Sequence, residues 1–197
     1  NGSAPNKHQM SGEVKTILDQ SFGLERYHRD PQRMSQIETH FQLNLERMVA
    51  LAKAHDIQLV FVVPPSNVKD FSPFKSEFSR QLTPQEQRHF HLLMQEADRS
   101  FHQQDFSTAE QAWRQAQSID SVYADVWYRL GKAQMQIAQL ENAYTAFQAA
   151  CDLDAAPLRA TRTIQSIVRN VAGQAQVPLI DWVAQLENDC RSRYGHA

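Results

Sequence analysis

The sequence predicts an α/β fold that is predominantly helical, a partial parallel sheet interrupted by an insertion of two helical repeats. Three observations carry this reading. Two blocks within residues 90–155 repeat at an offset of 34 residues, with Leu93 mapping onto Trp127, Ala97 onto Gly131, Ala109 onto Ala143, Trp113 onto Phe147 and Ala116 onto Ala150. The run 57–63 is apolar at every position but Gln58 and stops at Pro64-Pro65, the pattern of a strand covered on both faces of a parallel sheet. A second apolar run at 177–181 follows an amphipathic helix, so a helix–strand unit stands on each side of the repeats.

Each element has its own signal. Ser11 can cap a first helix whose apolar residues Val14, Ile17, Leu18 and Phe22 recur at helical spacing, with Gly23 ending it. Asp30-Pro31 couples a capping side chain to a proline at the first helical position. It opens a longer helix that ends near His55, with Met34, Ile37, Phe41, Leu45, Met48, Val49 and Ala52 on one face. After the strand at 57–63, Asn67, Asp70, Ser72 and Pro73 make 67–74 a loop, and Thr83-Pro84 opens the repeat helices. Downstream, a helix over 161–172 presents Ile164, Ile167, Val168 and Val171, the second strand follows, and Asp181 caps a last helix over 182–188. This order divides the chain into a partial α/β domain at 1–82 and 157–197 and a helical insertion at 83–156. The insertion leaves from the carboxyl end of a strand, where α/β sheets place their ligand crevices.

Composition narrows the function. A chain of 197 residues is long enough for one good core or two small domains, and 42% hydrophobic with 21% charged residues is ordinary for a globular protein. The formal charge of −2, without a basic stripe and interleaved aromatics, argues against a nucleic-acid partner. Cys151 and Cys190 stand far apart with no ligand spacing, which predicts neither a disulfide framework nor a zinc site, and no cofactor is expected. No apolar run approaches the roughly 20 residues that a membrane span needs. The N-terminal stretch lacks the basic-then-apolar order of a signal peptide, and it opens on Asn1-Gly2-Ser3-Ala4-Pro5-Asn6, the look of a coil entered in mid-protein.

The repeated blocks put small residues where helices approach and large apolar ones between them, and so resemble tetratricopeptide (TPR) repeats. The second block carries the pattern in Trp127, Leu130, Gly131, Ala143, Phe147 and Ala150, whereas the first has Glu96 at a usual leucine position and Ser100 at a usual tyrosine. An ordinary amphipathic hairpin is the alternative. The flanks resemble bacterial SGNH (GDSL-type) hydrolase-like proteins that hold such repeats within the hydrolase domain. The resemblance rests on Phe41-Gln42-Leu43-Asn44-Leu45-Glu46-Arg47-Met48, on Pro64-Pro65-Ser66-Asn67 with Pro73-Phe74-Lys75-Ser76-Glu77, and on Asp152-Leu153-Asp154-Ala155-Ala156-Pro157-Leu158-Arg159, spanning roughly 34–185. It implies a flavodoxin-like parallel sheet, hydrolysis of acyl or acetyl esters by the parent, and a cell-envelope or periplasmic setting. The family's chemistry needs a serine in a Gly-Asp-Ser block, oxyanion donors and an Asp-x-x-His pair. The chain has no Gly-Asp-Ser, and none of its eight histidines has an aspartate three residues before it. In the family's order these blocks fall before Asn1 and after Ala197, so the chain reads as a central fragment without catalytic residues of its own. An interaction module, in which the repeats bind a peptide and the flanks are scaffold, is the competing reading.

The candidate binding residues come from the repeat register. The first helix of each unit turns His91, Met94, Asp98, Phe101 and His102, then Asp125, Tyr128, Lys132, Met135 and Gln136, toward one concave side. This mixture of aromatic, Met and charged residues suits a protein or peptide partner, or the α/β part itself. Arg159, next to Asp154, has two readings, a contact to a substrate's carboxylate or acyl group and a salt bridge that fixes the repeats against the sheet. Glu86, His89 and His91 lack a further ligand at metal spacing and read as solvated or groove-lining residues. Ser66 stands at a strand end without a nucleophile elbow and reads as a turn residue.

Overall fold

The computed structural model describes Gly23, residues 27–194, and side chains as far as Asn188. The helix expected from Ser11 lies outside the described residues. Among them are α1 (Pro31–Ala54), β1 (Phe61–Val63), α2 (Pro84–His102), α3 (Phe106–Ile119), α4 (Ala124–Gln136), α5 (Leu140–Asp152), α6 (Arg162–Ala175), β2 (Leu179–Asp181) and α7 (Trp182–Tyr194). The fold is thus predominantly helical with a small parallel sheet.

The helix starts follow from their caps. Asp30 accepts the Arg33 N–H at 2.9 Å with Pro31 at the first helical position. Thr83 and Glu86 form a reciprocal capping box. Thr161 caps α6, and Asp181 accepts the Ala184 N–H at 3.1 Å to cap α7. The helix ends are less obvious. Asp56, Gln104, Ala138 and Gln176 all have positive φ, and in each case the next residue's N–H bonds back to the carbonyl five residues before it. That is the Schellman turn, made four times here without glycine.

The expected strands meet. β1 and β2 pair in parallel, Phe61 opposite Leu179, Val62 opposite Ile180 and Val63 opposite Asp181. Two corrections apply. The ladder covers three residues on each side rather than the whole of 57–63 and 177–181. Ile57 is held in the turn that ends α1, and the register sets Val60 against Pro178, which has no N–H to donate. Nor is the strand covered on both faces. Phe61 and Val63 are buried beneath α1 and α6 with Leu45, Val49, Ile167, Val168 and Val171, while Val60 is 51% and Val62 45% exposed. The expected apolar face of α1 is likewise only partly used, since Ile37 and Met48 remain exposed.

The second core lies among the four helices between β1 and α6. α2 with α3 and α4 with α5 form antiparallel hairpins that stack through α3 and α4. Phe90, Leu93, Ala97, Trp113, Val126 and Leu130 fill the space between them. The small residues mark close approaches: a Cβ on Gly131 would stand 2.8 Å from the Phe147 ring. Trp127, in contrast, is half-buried at the edge, where its indole donates to Ser121 O at 2.7 Å.

The loop after β1 is pinned as a strap along the hairpins. The buried carboxylates of Asp120 and Asp154, equivalent positions in the repeat, receive its backbone. Asp154 accepts the Phe74 and Lys75 N–H at 2.7 and 3.0 Å, and Asp120 accepts Ser79 N–H and O–H at 2.7 and 2.8 Å. Each also closes its own turn through the N–H two residues later. Ser76 Oγ accepts the Asp125 N–H at 2.8 Å, supplying the cap that Tyr123 at the start of α4 cannot. Phe78 packs against Phe90 and Tyr123.

Candidate functional site: two recesses beside the hairpins

The first recess is a cavity of about 290 Å³ on the α2 and α4 side of the hairpins, the side that the repeat register expects to be concave. It brings together the expected Asp98, Phe101, His102, Asp125, Tyr128 and Lys132, with Trp113, Arg129 and Ser72. His91, Met94 and Met135 are not among its walls. His91 is exposed and edge-on to Phe90 at 5.8 Å, Met94 packs against the hairpin core, and Met135 is half-buried in α4.

Arg129 organises the cavity. It bridges the two hairpins, ion-pairing with Asp98 of α2 and, through Nε at 2.7 Å, with Asp125 of α4. Burial works to lower the guanidinium's pKa, but the two carboxylates outweigh it and the pKa is raised. Lys132 Nζ sits 5.4 Å above the Phe101 ring centroid. The Tyr128 ring lies 5.6 Å from Phe147, and its hydroxyl pKa is raised, first by burial and then by Asp70. Trp113 is 2% exposed and its indole N–H is buried without an acceptor.

The second recess, about 240 Å³, opens at the carboxyl ends of the strands. Pro65 and Ser66 bound it after β1, Tyr144, Gln148 and Cys151 on α5, and Val183, Leu186 and Glu187 on α7. The Tyr144 hydroxyl donates to Glu187 and accepts from Gln148 Nε2 at 2.6 Å. Burial, then the Glu187 carboxylate, push the phenol pKa far up. Arg162 pairs with Asp152 and also offers it a backbone N–H at 2.9 Å. The Cys151 thiol is buried and its pKa raised, chiefly by burial, which makes it a poor nucleophile. Ser66 Oγ donates to Ala160 O at 2.8 Å, a role fixing the turn. Among the described residues lining this recess there is no histidine to act as its base.

Arg159 lies in neither recess. No salt bridge to Asp154 forms, because that carboxylate is occupied by the strap backbone. The guanidinium instead donates to the carbonyls of Asn67 and Phe71 and stacks over the Phe71 ring at 5.5 Å. It fixes the start of the strap. Glu86, weighed with His89 and His91 in the sequence, belongs to the capping box and pairs with Arg80 at 2.6 Å. No group of three or more metal-ligating side chains occurs among the described residues, and no helix there is long and apolar enough to cross a membrane.

No family model, curated protein or solved structure matches the chain.

Sequence reasoning missed three members of the concave cavity: Trp113, which it read only as a core residue of the repeat, Arg129 and Ser72. Arg129 was open to it, since an arginine four residues after Asp125 is a standard helical ion pair. Ser72 was not, because nothing local says that a loop after a strand will return to the repeats.

Proposed function

We propose that the chain is the central portion of an SGNH (GDSL-type) hydrolase-like α/β domain with a TPR-type helical insertion that shapes access to the carboxyl edge of its sheet. The observation that carries this reading is the parallel pairing of β1 with β2 across the inserted hairpins, with a recess at their carboxyl ends. Open α/β sheets place their ligands there. In the intact parent the reaction is hydrolysis of an acyl or acetyl ester. The serine, the oxyanion donors and the base come from outside this chain, which is inactive alone. Two tests apply. The chain incubated with p-nitrophenyl acetate should release nitrophenol no faster than buffer, and clear turnover overturns the inactive-fragment reading. The parent reading frame should encode Gly-Asp-Ser upstream and Asp-x-x-His downstream, and further 34-residue repeats in their place favour the second reading.

That second reading is a TPR interaction module whose α/β flanks are scaffold. The concave cavity favours it, since its walls are drawn from both hairpins and are linked across them by Arg129. The partner is then a protein or peptide segment.

A further inference from the structure

The polar groups around the concave cavity fall into two sets. Its acceptors are in use, because Asp98 and Asp125 both engage Arg129. Its donors are not. The Trp113 indole N–H is buried with no acceptor, an unfavourable state that an arriving acceptor would relieve. The Tyr128 hydroxyl makes no hydrogen bond among the described residues, and Lys132 has no carboxylate partner there, only the Phe101 ring. At about 290 Å³ the space is at the small end of ligand pockets, which run roughly 300–1,000 Å³, and suits one side chain rather than a whole ligand domain.

We propose that this cavity, whose walls include Trp113, Tyr128 and Lys132 as unengaged donors, receives the carboxylate of an aspartate or glutamate side chain within a bound peptide. An ionised carboxylate only accepts hydrogen bonds and can take several, which matches a set of free donors that includes one ammonium. The Phe101 ring offers an apolar wall for the methylene stem. This deepens the interaction-module reading and rests on the concave side being a peptide surface.

The test follows the Trp113 indole N–H by nuclear magnetic resonance on the full chain. Its three tryptophans give separate indole signals, Trp127 is already bonded to Ser121 O, and Trp113→Phe assigns the signal of interest. The probe is the blocked tripeptide acetyl-Ala-Glu-Ala-amide, compared with its Gln counterpart and with acetyl-Ala-Ala-Ala bearing a free carboxyl terminus. A saturable downfield movement of the Trp113 proton is expected with the Glu peptide alone. Lys132→Gln, an exposed position, should weaken binding about tenfold, as for loss of a hydrogen bond to a charged group. An unmoved signal, an equal response to Gln, or a response only to the free terminus overturns the proposal, as does unchanged affinity in Lys132→Gln. Equal binding of the Glu and Gln peptides to the concave side would still leave the interaction reading standing. If no member of a random peptide library binds the chain, that reading falls as well.

Discussion

The hairpin pair and the α/β part treat their apolar residues differently. In the hairpins Trp113, Phe90, Leu130 and Val126 are at most 2% exposed, and the strap supplies caps and ring contacts along the inter-repeat turns. In the α/β part Phe61 and Val63 are buried, yet Leu51, Ile57, Val60, Val62, Ile180 and Trp182 all stand exposed. One half closes its core from its own residues. The other leaves one side of an apolar sheet uncovered, and parallel sheets are ordinarily covered on both sides.

The contrast should appear first in stability. Trp113→Ala should destabilise the chain by about 3–5 kcal/mol in urea unfolding, the range for a large aromatic lost from a packed core. Trp127→Ala, at the half-buried edge, should cost only about 1–2 kcal/mol. Ile180→Thr on the open side should stay within about 0.5 kcal/mol; a loss as large as that of Trp113→Ala would mean the sheet face is covered after all.

A smaller effect tests whether the strap belongs energetically to the hairpins. Asp120→Ala and Asp154→Ala each strand backbone donors of the strap, and each should cost roughly 1–3 kcal/mol, the penalty for buried hydrogen-bonding groups left unpaired. Similar losses in the two variants would match their equivalent positions. Losses under about 0.5 kcal/mol would show the strap to be a passive covering.

The smallest effect concerns pH at the entry to the hairpins. Glu86 has its carboxyl drawn from 4.5 down to about 2, by Arg80 first and then by the Thr83 backbone and hydroxyl. The folded value lies below the unfolded one, so this contribution is complete above pH 4.5 and fades as pH falls toward 2. Hydrogen-exchange protection in the first turn of α2, taken relative to the intrinsic rate at each pH, should fall as pH drops across that window in the wild-type chain, and Glu86→Gln should flatten the response.

How much of this was legible depends on how local each signal is. Asp30-Pro31, Thr83-Pro84 and Asp181 announce helix starts because a cap and its N–H partners lie within three residues. The helix ends at Gln104 and Ala138 did not announce themselves, since the left-handed residue there is not the glycine that the turn usually shows. The pairing of β1 with β2 could be expected from two apolar runs, but their short ladder depends on Pro178 lying opposite Val60, a matter of register. Part of the concave cavity followed from repeat spacing. Arg159 could not be placed, because its partners are backbone carbonyls of a distant loop, which any sequence would supply. The spare indole N–H of Trp113 was hidden for a similar reason: tryptophan in a helical stripe says that a ring is buried, not whether its nitrogen has found an oxygen.

The attachment of the strap has a practical consequence for anyone dividing the gene. An excised cassette that starts at Thr83 would leave Asp120 and Asp154 without their strap partners, keeping only the N–H of Val122 and Ala156, and α4 without its borrowed serine cap. The smallest transplantable unit therefore begins near Phe71, upstream of the first repeat helix, and ends after Ala156.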